Sequence, residues 1–260
     1  MISPKAEVDA TAFVDPEAEV SDGCVIRPGA KVYGKVKLAK NVWIAPNVIV
    51  YGPAEIGEKT YLGPNVIVGH PSGEELEAIL NAKQVGIISR GGKPVKIGKN
   101  VWIRSNCTIY SDVMIGNDVR FGHNAMVREE VTIGDGTLVG TEVVIDGRCR
   151  IGRNVSIQTG VYICTYSTVE DFVLIGPHCV FTNDKYVGQK KCKLQGPTVR
   201  EGAGIGAKAV LFPGITVGKG AVVGAGAVVT KDVPSKVIVV GVPAKRLKAV
   251  PSDWHTILEK

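Results

Sequence analysis

The chain has 260 residues and a formal charge of +6, long enough to bury a full core as one domain or two. Glycine is abundant at 32 residues and aromatics make up only 6%, while valine and isoleucine dominate the apolar set. That balance suits many short strands joined by tight turns. Lysine and arginine are scattered, somewhat enriched at 185–200 and 236–250; such a balance suits anionic ligands and is equally common in proteins that bind nothing acidic, and no basic stripe interleaved with aromatics argues for nucleic acid.

From the N-terminal side, an aliphatic residue recurs at every sixth position: Val8, Val14, Val20, Ile26, Val32, Leu38, Ile44, Val50, Ile56, Leu62 and Val68. A helix shows spacings near 3.6 and an amphipathic strand shows 2, so neither explains a beat of six. A hexapeptide that makes one short strand and one turn does explain it. Three such units close an 18-residue triangular coil, and coils stacked about 4.8 Å apart form a parallel β-helix. The residue after the beat is often glycine (Gly57, Gly63, Gly98, Gly116), as tight corners require. The residue two before the beat also points inward.

Residues 71–96 carry no beat. Ser72 with Glu75 three later forms a capping box ahead of an expected short helix, EELEAILNAK at 74–83. The beat resumes at Ile97 and runs through Ile103, Ile109, Ile115, Phe121, Val127, Ile133, Val139, Ile145, Ile151, Ile157, Ile163, Val169 and Ile175 to Phe181. A polar, basic excursion follows at 184–198, and because the beat-to-beat span is a multiple of six it can return in register. The last run is Val199, Ile205, Leu211, Val217, Val223 and Val229. About ten coils are expected in a domain over 1–233. A segment over 234–260, leaving through Pro234 and Pro243, is expected to end in a short helix that covers the last strand edges.

No apolar run reaches the length of a membrane span, and no apolar stretch behind basic residues opens the chain, so membrane insertion and export are not expected. Cys24, Cys107, Cys149 and Cys179 share the inward place two before the beat and read as reduced core residues of a cytoplasmic protein. Cys164, one after the beat, is expected to face outward, but a nucleophilic cysteine wants a base beside it and His123 lies more than two coils away.

His123, in FGHNAMV, follows a beat by two. One coil places it level with Ser105 and Thr141, with Asn106, Asn124 and Glu142 in the next column. It therefore stands in a polar outward row on a stiff scaffold, where a general base can be held. Zinc is the first alternative, but His70, His123 and His178 are 53 and 55 residues apart, about three coils. That is roughly 15 Å, too far for one chain to gather them around an ion. No metal is expected, although ligands shared between subunits, as in a gamma-type carbonic anhydrase, stay open.

The aliphatic-glycine hexapeptides, VVGAGAVVTKDVP at 222–234 and GVPAK at 241–245 resemble the hexapeptide-repeat acyltransferases over almost the whole chain. Within them, GHNAMVREE at 122–130, VSIQTGVYI at 155–163 and IGPHCVFTNDKY at 175–186 are most similar to N-acetyltransferases of nucleotide-linked amino sugars. The resemblance implies an all-β, left-handed β-helix; handedness comes from it alone. It also implies a homotrimer with active sites in the clefts between prisms and acetyl-CoA as donor. His123 would accept the proton of the attacking amine. Asn124, Asn183, Asp184, Lys185 and Tyr186 would stand at the nucleotide-sugar acceptor. A smooth glycine and alanine wall including Gly140, Gly204, Ala207 and Ala225 would take the pantetheine arm, with Lys219, Lys231, Lys245 and Arg246 near its phosphates. Gly140 would also be a candidate oxyanion donor. Another small acceptor, or a non-catalytic assembly subunit, are the readings that compete.

Overall fold

The computed structural model describes residues 1–81 and 93–259, in two compact units, Met1–Glu130 and Val131–Lys260. In the first unit, strands of two to four residues rotate through three parallel faces. The first face holds Glu7–Val8, Val25–Ile26, Trp43–Ile44, Tyr61–Leu62, Trp102–Ile103 and Arg120–Phe121. The second runs from Phe13–Val14 to Met126–Val127, and the third from Glu19–Val20 to Val113–Ile115. Partners lie one 18-residue turn apart: Glu7 opposite Val25, Val25 opposite Trp43, Trp43 opposite Tyr61.

The beat is the core. Thirty of its thirty-two residues are buried, and Val8 and Val14 are half-buried in the opening turn. The position two before it is inward as well, with Cys24, Cys107, Cys149 and Cys179 fully buried. Where that place is polar, the hydroxyl finds backbone partners. Thr60 Oγ1 donates to the Gly98 carbonyl at 3.0 Å and accepts from Val101 N at 3.2 Å; Thr137 does the same with Gly152 and Val155. A buried hydroxyl so satisfied avoids the cost of an orphaned donor.

The first excursion leaves between the second and third faces, after strand Ile67–His70, and returns at Val95–Ile97. It opens with the expected capping box, Glu75 N donating to Ser72 Oγ at 3.2 Å and Ser72 N to Glu75 Oε2 at 2.6 Å. The helix runs Gly73–Asn81 and is the only helix among the described residues; the expected positions 82 and 83 lie outside them. None of its residues is buried, so hydrogen bonds hold it. Ser111 Oγ, at the end of a second-face strand, donates to the same Glu75 carboxylate at 2.5 Å.

The second unit repeats the three faces and hosts the other excursion between strands Val180–Phe181 and Thr198–Val199, again between the second and third faces. It does return in register, Thr168 pairing with Thr198 and Thr198 with Thr216. Its returning limb covers the corner at Ser167, where a side chain at Gly196 would meet Ser167 N and Oγ at 2.5 Å. That covering corrects the placement of Cys164, which is buried at 2% exposure rather than outward, with Sγ 3.4 Å from Ser167 Oγ.

The chain's end also differs from expectation. No helix forms among the described residues of 234–259. Instead the β-branched run Val237–Val240 adds to the first face beside Val222–Val223, and Lys245–Ala249 pairs antiparallel with it. Gly241, at φ 95°, makes the reversal that a residue with a Cβ resists. The added strands bring the total to between eleven and twelve turns rather than about ten. Among the described residues no helix is long and apolar enough to cross a membrane.

Two outcomes follow. Glu75→Ala removes the acceptor for both Ser72 N and Ser111 Oγ, a loss of about 1–2 kcal/mol. Amides of 73–81 then exchange several-fold faster while the core amides keep their protection; an unchanged helix would mean the carboxylate anchors nothing. Burial pushes the thiols of Cys107 and Cys164 up to about 11 and that of Cys149 up to about 12. A thiol reagent near neutral pH should therefore label only the half-buried Cys192 in the native protein, and all six cysteines in denaturant.

Candidate functional site

In the first unit, the corner between first and second faces is built by a repeated pair of residues. From the second turn onward the second member is left-handed: Gly29, Asn47, Asn65, Asn106 and Asn124, at φ between 57° and 70°. Asparagine and glycine tolerate that region best. The first member is Pro28, Pro46 and Pro64, then Ser105 and His123. Proline suits a corner whose first residue needs φ near −65°. The amides link the turns: Asn47 N donates to Pro28 O, Asn65 N to Pro46 O, Asn106 N to Pro64 O and Asn124 N to Ser105 O, at 3.0–3.2 Å.

His123 thus occupies a corner that three earlier turns lock with proline. Its side chain is exposed, and its Nδ1 lies 2.8 Å from Ser105 Oγ in a hydrogen bond from the preceding turn. In the tautomer where Nδ1–H donates to Ser105 Oγ, the lone pair of the ring lies on Nε2. Stacking of the two residues followed from the 18-residue period; the hydrogen bond that orients the ring did not. Asn124 is exposed beside it, its backbone making the left-handed step.

The other histidines are placed differently. His70 has Nδ1 2.9 Å from the Pro71 carbonyl and its ring 4.7 Å from that of Tyr110. His178, in the second unit, is itself a left-handed corner residue at φ 57°, its ring lying over Gly160. Among the described residues no three His, Cys, Asp or Glu side chains gather as metal ligands.

The remaining candidates belong to the second unit. Asn183 Nδ2 donates to the Thr165 carbonyl at 3.4 Å. Asp184 accepts from Tyr186 N at 2.8 Å and Gly188 N at 2.7 Å, and these bonds hold its carboxyl below the usual range. Both oxygens are thus used inside the excursion. Lys185 and Tyr186 are exposed on the same loop.

Of the coenzyme candidates, Ala207 and Ala225 are consecutive members of one corner, joined where Gly226 N donates to Ala207 O at 2.8 Å. Gly140 does not serve as an oxyanion donor, because its amide donates to the Ile157 carbonyl at 2.8 Å. A Cβ there would meet the next turn's backbone at 2.8 Å, so close packing explains this glycine. Gly204 is different: a Cβ would meet nothing within 4 Å, and the residue floors a cleft of about 240 Å³ roofed by Trp254, Thr256 and Ile257. Lys219 pairs with Glu201 at 2.8 Å, Lys231 is exposed, and Lys245 and Arg246 lie on the outer strand of the terminal hairpin.

The sequence matches the family model described as bacterial transferase hexapeptide (six repeats) at residues 35–70 and 94–129. It matches hexapeptide repeat of succinyl-transferase at 112–147, 130–165 and 201–231. No curated protein matches it. Among solved structures, a UDP-N-acetylglucosamine acyltransferase of Arabidopsis is 20% identical with a TM-score of 0.52, over 96% of this chain and 74% of that one. Its counterpart from Francisella novicida is 16% identical with a TM-score of 0.51, over 93% and 69%. A perosamine N-acetyltransferase of Caulobacter crescentus is 17% identical with a TM-score of 0.30, over 70% and 95%. With these two models covering 35–70, 94–165 and 201–231 and the hexapeptide beat forming the core of both units, the chain belongs to the bacterial hexapeptide-repeat transferases.

Proposed function

We propose that the protein is a CoA-dependent acyltransferase that moves an acetyl group from acetyl-CoA to the amino group of a nucleotide-linked amino sugar, with His123 as general base. The observation that carries this reading is the exposed imidazole on a stiff corner, oriented by Ser105 at 2.8 Å. Family membership supports transfer chemistry. The motifs at 122–130, 155–163 and 175–186 support the amino-sugar acceptor.

In the reaction, the neutral amine attacks the thioester carbonyl, a C–N bond forms, and the nitrogen sheds a proton to His123 Nε2. The tetrahedral adduct then collapses, the C–S bond breaks and the coenzyme leaves as thiol after taking up a proton. Ser105 keeps the accepting nitrogen turned outward through the cycle. No covalent enzyme intermediate is required, and the burial of Cys164 agrees with that. The small side chains of Ala207 and Ala225 and the open floor at Gly204 leave room for a slender pantetheine chain along the second unit. A homotrimer, with each site completed by a neighbouring copy, belongs to the same proposal.

A thiol-release assay with acetyl-CoA tests it, using UDP- and dTDP-linked amino sugars, free amino sugars and UDP-N-acetylglucosamine as acceptors. Turnover is expected with one nucleotide-linked amine. His123→Ala should lower kcat/KM by about 10²–10⁴-fold, and Ser105→Ala, which loses one orienting hydrogen bond, by about fivefold. Light scattering should show a particle of three chains for each variant. A folded His123→Ala protein with wild-type turnover would overturn the assignment of the base.

A further inference from the structure

Several cations on the corners of this protein pair with carboxylates on neighbouring turns. Arg27 pairs with Glu7 at 2.7 Å, Lys93 with Asp112 at 2.7 Å, Arg153 with Asp171 at 2.8 Å and Lys219 with Glu201 at 2.8 Å. The second excursion is distinguished by density, with four lysines within nine residues. Lys185, Lys190, Lys191 and Lys193 are all exposed, and none makes an ion pair among the described residues.

The one carboxylate of the stretch, Asp184, does not neutralise them. Its oxygens accept from Tyr186 N at 2.8 Å and Gly188 N at 2.7 Å, and Cys192 Sγ lies 3.4 Å from Oδ1. These bonds wind 184–188 so tightly that Val187 takes φ 51°, a region a β-branched residue resists. In that turn Lys185 Nζ lies 5.9 Å and Lys190 Nζ 5.3 Å from the centre of the Tyr186 ring, so two ammonium groups share one aromatic group. The loop's base is fixed as well. Gln195 N donates to Asn183 O at 3.0 Å and Gly214 N to Gln195 O at 2.9 Å. Two of the ammonium groups are therefore gathered at one ring on a held frame, with two more lysines within three residues, and their like charges favour an anionic partner.

We propose that the tip of this excursion is a diphosphate-binding element, in which Lys185 and Lys190 on the Tyr186 ring, with Lys191 and Lys193 beside them, receive two adjacent phosphates. Asp184 is then a positioning residue, not a ligand. A single carboxylate would leave most of the positive charge uncompensated, whereas a diphosphate matches several compact ammonium charges at once. Both a nucleotide-linked sugar and CoA carry a diphosphate. Assigning the group to the acceptor rests on the transferase reading above.

The test is calorimetric titration of the full chain with UDP, dTDP and CoA, comparing wild type, Lys185→Met/Lys190→Met, Lys185→Arg/Lys190→Arg, Asp184→Asn and His123→Ala. The methionine pair should weaken binding of one nucleotide at least tenfold, by an amount that shrinks in high salt. The arginine pair should restore most of it, Asp184→Asn should lose part of it, and His123→Ala should bind as wild type does. A loss confined to CoA would uphold the diphosphate element and assign it to the donor. Nucleotide and CoA affinities within twofold of wild type in the methionine pair would overturn it. Binding is read without turnover, so a failed transferase assay beside a lysine-dependent nucleotide affinity would sink the catalytic reading and leave this element standing.

Discussion

Each turn of this fold is completed by the turns before and after it. Parallel pairing at an 18-residue offset satisfies the backbone groups of strands only two to four residues long, which have no stability alone. Since the pairing is in register, side chains stack in columns, and every column becomes a potential row of identical chemistry. The row that holds Pro28, Pro46 and Pro64 changes to Ser105 and His123, and the ladder that sets Trp102 opposite Arg120 is what brings the serine hydroxyl under the imidazole.

The fold was legible because the inward residue of each hexapeptide has one task. Burial of nearly every beat position follows from the apolar spacing alone, and the helix start followed from Ser72 and Glu75. What escaped depends on contacts between distant segments. Cys164 reads as outward by its place in the repeat, and becomes buried only because the chain returns over Ser167 at Gly196. The terminal segment reads as ending in a short helix over the last strand edges. Yet Val237–Val240 meets an unpaired strand edge at Val222–Val223, and β-branched residues fit that edge.

For the candidate site, the position of His123 was legible and its orientation was not. Glycine and alanine alternation shows the limit more sharply. At Gly206 a Cβ would meet Ala225 N at 2.5 Å, so the next turn demands the glycine; at Gly204 the same substitution meets open space. Two glycines two residues apart therefore mean different things, close packing in one case and open space beside a cleft in the other. Asp184 is a similar case: as a motif residue it suggests a substrate contact, while its hydrogen bonds make it the hub of its own loop.

The two excursions leave from the same kind of corner but differ in how far they displace the register. Ala54 pairs with Val95 and Thr168 with Thr198, 41 and 30 residues apart where an uninterrupted turn needs 18. Only the second insertion is a multiple of six, so the scaffold imposes no arithmetic on what is inserted. Register is recovered each time because the aliphatic side chains of the returning strand have one inward fit. Lengthening such a loop is cheap, about 0.6 kcal/mol for each doubling. The corner between the second and third faces is thus a graft point, where segments of different length can be inserted while the corner at His123 keeps its geometry.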